Sequence, residues 1–155
     1  MDRSLGSNRY DFSPLVSIDL GFGGEARNLE KAMAYKIFLL MKRKPGISVE
    51  AFREYYETKH VKLAMKHRAG DFRYIRHYLD PQPHVESGHN DELPYDVITE
   101  LSYEDEGAYK RTLNYLTTSV MPDDVVADEM NLFDRPTMRI ATVVDCETPM
   151  QPAKE

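Results

Sequence analysis

The chain is short of cysteine, of long apolar runs and of basic charge. Cys146 is its single cysteine. One thiol cannot close an internal disulfide, which fits a reducing compartment. A lone cysteine outside any nucleophile motif is more often inert than catalytic. No stretch approaches the roughly 20 consecutive apolar residues that a membrane span needs. The N-terminus carries Asp2, Arg3, Arg9 and Asp11 and no apolar core, so no secretory signal is expected. A soluble, cytoplasmic protein is the expectation. Lysine and arginine number 20 against 26 acidic residues, a formal charge of −6. That balance repels phosphates and argues against nucleic acid or an anionic membrane as partner. The one basic run, Lys42-Arg43-Lys44, reads as a solvated turn. No internal repeat is visible.

With 155 residues the chain is long enough for one domain with a core that needs no staples. Residues 1–33 read as a flexible N-terminal extension rich in Ser and Gly, with one short extended run at Leu15–Leu20. Gly21-Phe22-Gly23-Gly24-Glu25-Ala26 fits a G-x-G-x-x-A phosphate fingerprint letter for letter. Its context argues against that use. The preceding run is short and follows Pro14, and the next strand brings no acidic ribose clamp. The compact pattern occupies residues 34–147, and residues 148–155 read as a disordered tail.

The domain is organised around residues 35–79, which read strand, helix, strand. Tyr35, Ile37, Leu39 and Met41 lie on one face of the first strand, Phe38 and Leu40 on the other. Apolar on both faces, it belongs in mid-sheet. Pro45 and Gly46 stop it. Ser48 is placed to cap a helix running to about Lys66, with Glu50 in its first turn. Val49, Phe52, Tyr56, His60, Leu63 and His67 recur at helical spacing on one face. A second strand spans 72–79. Residues 80–94, with three prolines, form a long polar loop, either a lid or surface ornament. A third strand spans 95–102. Asp96, Ile98 and Glu100 share one of its faces, so the carboxylates are expected at an edge or lining a pocket. Ser102, with Asp105 three residues on, suggests the start of a second helix. Pro122 at the first helical position, with Asp123 and Asp124, opens a short third helix to about Asn131. The last strand spans 137–144.

Strand, helix, strand, strand, helix, short helix, strand is the split pattern of an α+β ferredoxin-like βαββαβ domain with a four-stranded antiparallel sheet. Helices then cover one sheet face. The other is partly apolar, and a two-fold homodimer is the simplest way to close it.

Four blocks carry a resemblance to a known family. They are 35–46 (YKIFLLMKRKPG); Phe52-Arg53-Glu54-Tyr55-Tyr56-Glu57 with Lys59-His60-Val61 and Leu63-Ala64; Pro94 to Leu101; and Asp128 to Arg135. Together they resemble the EthD-domain family over about residues 34–147. The resemblance implies a dimeric α+β barrel of ferredoxin-like halves. It also implies a link to oxidative breakdown of ethers and other small xenobiotics, or to aromatic polyketide pathways as dehydratase or decarboxylase. Related barrels include monooxygenases, cyclases and haem-handling proteins. The shared feature is an apolar pocket between sheet and helices with one or two acid/base groups.

His60 is the leading candidate for that group. An imidazole can take or give a proton near neutral pH, and His60 matches the family's helix histidine. Otherwise it is a satisfied core histidine. Tyr56 shares its face and could bond a substrate carbonyl. Tyr55 points about 100° away and, with Phe38, Phe52, His77 and Asp134, is assigned to substrate binding. Asp96 and Glu100 are assigned as partners of His60 or bases in their own right. Asp134 and Arg135 match the family's acidic block before the last strand. For a metal, His84, His89, His60 and His67 offer no third ligand at proper spacing. Haem would need His60 or His77 as axial ligand. The expectation is a cofactor-independent enzyme on a small hydrophobic substrate, with a non-catalytic carrier or accessory protein as the alternative and haem binding as a third.

Overall fold

A computed structural model describes residues 35–68, 70–88, 91–146 and 148. The expected N-terminal extension, its glycine motif, His89 and the tail beyond residue 148 lie outside the described residues. The order is β1 (Tyr35–Met41), α1, β2 (Arg73–Tyr78), β3 (Val97–Tyr103), α2 (Glu106–Thr118), α3 (Asp123–Leu132) and β4 (Arg139–Val143). Helix α1 has three parts: Val49–Tyr55, a π-helical turn Tyr56–His60, and Val61–Lys66. The strands form one antiparallel sheet in the order β2-β3-β1-β4. This is the α+β architecture expected from the element order.

Local chemistry explains most of the boundaries. The apolar strand β1 lies inside the sheet, between β3 and β4. Gly46 takes the left-handed conformation (φ 87°) that turns the chain out of β1. Ser48 then caps α1, its Oγ accepting from the Ala51 N–H at 3.2 Å. Elsewhere the boundaries shift. Helix α2 begins at Glu106, and its cap is Asp105, which accepts from the Ala108 N–H at 2.6 Å. Ser102 is not a cap. It stays in β3, paired with Lys36 and Arg73, because the buried ring of Tyr103 extends that strand into the core. Pro122 is the cap of α3 rather than its first helical residue. A 3-10 turn at Arg135–Thr137 delays β4 to Arg139.

The basic run is not a solvated turn. Two of its three side chains are folded onto acids. Arg43 binds Asp96 through its backbone N–H (2.8 Å) and its guanidinium, and also reaches Glu92. Lys42 Nζ lies 3.3 Å from Asp96 and donates to the Leu93 carbonyl at 2.8 Å. With the Arg53–Asp80 pair at 2.6 Å, these contacts tie down both ends of the loop after β2.

Alternation and register decide the two sheet faces. Ile37, Leu39, Met41, Val97, Thr99, Leu101 and Tyr103 face the helices, and Lys36, Phe38, Leu40, Ile98, Glu100 and Ser102 face away. Two core clusters occupy the helix side. Met41, Phe52, Tyr56, Val97, Leu132 and Phe133 form one, and Ile37, Leu101, Tyr103 and Ala108 the other. Phe52 is fully buried and sets its ring edge-on to Tyr56, Tyr78 and Phe133. Among the described residues no helix is long and apolar enough to cross a membrane.

Candidate functional site

The site grows from the π turn in α1. The Val61 N–H bonds the Tyr56 carbonyl five residues back, the signature of a π turn, which is often found at functional sites. In an ordinary α-helix, residues five apart point about 140° away from each other. The wider turn brings Tyr55 and His60 toward one side, and both reach the same carboxylate. His60 Nδ1 lies 2.6 Å from Asp128 Oδ2, and the Tyr55 hydroxyl donates to Asp128 Oδ1 at 3.0 Å. Burial and that bond raise the Tyr55 hydroxyl above its usual range, so it remains the donor.

Asp128 sits on α3, in the register that buries Val125, Glu129 and Leu132. An ionised carboxylate only accepts, so Nδ1 of His60 carries the proton it shares with Asp128. Nε2 is then the nitrogen available to a bound molecule. The His60 side chain is 9% exposed and its ring stands edge-on to Tyr56 (4.8 Å) and Phe133 (5.2 Å). A carboxylate behind it and two aromatic rings beside it leave the ring little freedom to rotate.

His60 lines a cavity of about 360 Å³ between the sheet and the helices. Its walls are mostly apolar, with Leu39, Leu101, Leu116, Met65, Met121 and Met138 among them. A more open hollow of about 840 Å³ adjoins it and shares Leu39, Leu116, Met121, Glu129 and Met138. Such a volume suits a small ligand.

A family model for the EthD domain matches residues 44–136. The chain belongs to the EthD-domain family. The match includes all of α1, α2 and α3, and therefore both His60 and Asp128. No curated protein is significantly similar to this EthD domain. Among solved structures it is similar to the solution structure of a hypothetical Arabidopsis thaliana protein. The two are 15% identical over 76% of this chain and 92% of the other, with a TM-score of 0.41.

The EthD domain brings only some of the residues singled out from sequence together. His60 and Tyr56 line the cavity. The Tyr56 hydroxyl, however, is spent on the sheet, bonding Thr99 Oγ1 at 2.7 Å and the Tyr74 hydroxyl at 3.2 Å. Burial, and then Tyr74, push it well above the usual tyrosine range. It stays protonated, and Tyr56 offers the cavity its ring. Tyr55 lies behind the site, on Asp128. Phe52 supports the rings of Tyr56 and Phe133 from the core and does not line the cavity.

The strand carboxylates are elsewhere. Asp96 is neutralised by Lys42 and Arg43 at the end of β1. Glu100 is on the opposite sheet face from His60, where it meets His77 Nε2 at 3.1 Å, the Ser102 hydroxyl and, at 3.8 Å, Lys36. Burial pushes the Glu100 carboxyl up, but Ser102, His77 and Lys36 outweigh it and leave the group below its ordinary value. His77 and Phe38 share that outer face, their rings 6.4 Å apart. Neither carboxylate touches His60: period-two alternation puts Glu100 on the side away from the helices, and Asp96, just before β3, is held by Lys42 and Arg43. Asp134 does not line the cavity. Its backbone N–H bonds the Lys42 carbonyl at 2.9 Å and its carbonyl accepts from Thr137.

Two acids of the block 128–135 have no role in the sequence reading. Asp128 is 68 positions from its histidine. The signal for it was an acid on the buried register of a short helix. Glu129 is buried at the cavity wall and accepts from Arg135 Nε at 2.9 Å. Among the described residues no three His, Cys, Asp or Glu side chains converge as a metal site.

Proposed function

We propose that this EthD domain is an enzyme that moves a proton on a small hydrophobic substrate of aromatic, polyketide or xenobiotic type, with His60 as general acid/base. One observation carries the reading: a buried imidazole at a cavity wall, its Nδ1 held 2.6 Å from the Asp128 carboxylate. The carboxylate fixes the tautomer that leaves Nε2 basic and stabilises the imidazolium formed when Nε2 takes a proton. Apolar walls keep water from competing for that proton. With a carbon acid beside a carbonyl, Nε2 takes the C–H proton. In a dehydration the same proton leaves with the β-hydroxyl as water. Decarboxylation and cyclisation reuse the same exchange, and oxidation by dioxygen is the variant the family suggests.

The test is H60N. With a β-hydroxy ketone of naphthalene size in D2O, NMR should show wild-type exchange at the acidic carbon and a fall of about 10²-fold or more in the variant, with ligand affinity kept. Exchange at the wild-type rate with unchanged affinity would leave a non-catalytic carrier or accessory protein as the reading. Haem is the other alternative. His60 suits an axial ligand because Asp128 would orient it, and haem bound there would supply redox chemistry. A Soret band after haemin addition, absent in H60N, would favour that reading.

The proposal includes a homodimer. Half-buried Phe38, Leu40, Ile75 and Ile98 on the outer sheet face support a second copy as its cover, and sedimentation velocity tests it. It also places the enzyme in the cytoplasm, supported by its lone exposed thiol, Cys146.

A further inference from the structure

We propose that the cavity takes an amphipathic anion, its apolar body beside His60 and its carboxylate held at the open end by Arg68 and Arg111. The proposal rests on the reading of this cavity as the substrate site and goes on to name the substrate's charge. Arg68 follows α1 and Arg111 lies on α2, and both line the cavity. Their side chains are 50% and 75% exposed, so they stand where the cavity meets solvent, whereas His60 and Tyr56 are buried at its inner wall.

Neither arginine is committed to a hydrogen-bonded pair. Arg68 is 3.8 Å from Asp71, and Arg111 is 3.8 Å from Asp105. Asp71 is fully exposed, and the same Asp105 oxygen already accepts from the Ala108 N–H. Exposed pairs of this kind are worth about 0–1 kcal/mol and give way to a better anion. The other charged groups at the walls are already engaged. Glu129 is bound by Arg135, and His67 Nε2 meets Asp124 at 2.9 Å. The open end therefore carries two uncommitted guanidinium groups in a chain of formal charge −6. A guanidinium matches a carboxylate with two parallel hydrogen bonds. Two of them above an apolar hollow select a ligand with one greasy end and one anionic end.

Isothermal titration with 2-naphthoate and its neutral methyl ester tests this, because the two share a body and differ in charge. Wild-type protein should bind the carboxylate at least about tenfold tighter, a difference of about 1.4 kcal/mol. R68A/R111A should erase the preference and leave ester affinity unchanged. R68K/R111K should keep part of it, and H60N all of it. Equal binding of the two ligands by wild type would overturn the anion assignment and leave the cavity reading standing. So would a preference that survives R68A/R111A or disappears in H60N. Binding of neither ligand would overturn both.

Discussion

Each face of the sheet carries an imidazole and a carboxylate in contact, and the surroundings of the two pairs are opposite. On the helix face the imidazole is the enclosed partner. His60 is buried, one nitrogen is fixed by Asp128, and the ring borders a cavity. On the outer face the carboxylate is the enclosed partner. Glu100 is wrapped by Ser102, His77 and Lys36, while the side chain of His77 is 45% exposed. The same two functional groups are therefore equipped for different work. A wrapped carboxylate has its lone pairs satisfied and serves the sheet. An oriented imidazole with a nitrogen to spare beside an apolar hollow is equipped for proton transfer. The fold adds the π turn, without which Tyr55 and His60 would not share one acid.

The contrast can be broken by mutation, and the largest effect should come from the two histidines. H60N should lower kcat by about 10²- to 10⁴-fold, whereas H77N should leave it within about threefold. Equal losses in steady-state assays would erase the distinction between the faces. Next is Asp128→Asn, which keeps size and removes charge. The amide cannot steady an imidazolium, so kcat should fall at least about tenfold with KM little changed. Tyr55→Phe is milder. It removes one donor from Asp128, at a cost of about 1 kcal/mol in urea unfolding, and its kcat should lie between those of wild type and D128N.

The smallest effect concerns the outer face and pH. The Glu100 carboxyl is held below its ordinary value in the folded chain. Its contribution to stability is complete above the unfolded carboxyl value of about 4.3 and is lost as pH falls through the lower folded value. The gap in thermal midpoint between wild type and Glu100→Gln should therefore be widest at pH 7 and should close toward pH 3. A constant gap would mean that packing, and not charge, is what Glu100 supplies.

Much of this contrast was written in local sequence. Apolar residues on both faces of 35–41 put β1 inside the sheet, and the spacing of Phe52, Tyr56 and His60 put the histidine on the buried side of α1. Four things were not legible. Period-two alternation groups 96, 98 and 100 but does not say which face meets the helices, so it leaves open whether Glu100 lines a pocket. Asp128 is distant in sequence and approaches His60 only through helix packing. The π turn also moved the phase of α1. Beyond His60 the cavity is lined by Ala64 and Met65 as well as His67, and Leu63 of the expected face is not among its walls. Arg43 looked like solvated charge because nothing local announces that Asp96 and Glu92 will reach it.

Four of the chain's eight methionines, Met41, Met65, Met121 and Met138, border the smaller hollow, and Met121 and Met138 stand in the partition it shares with the larger one. Thioether side chains are unbranched and swivel at little cost. A wall built from such side chains can reshape around guests of different length. A guest there is therefore constrained less in girth and length than walls of branched side chains would constrain it.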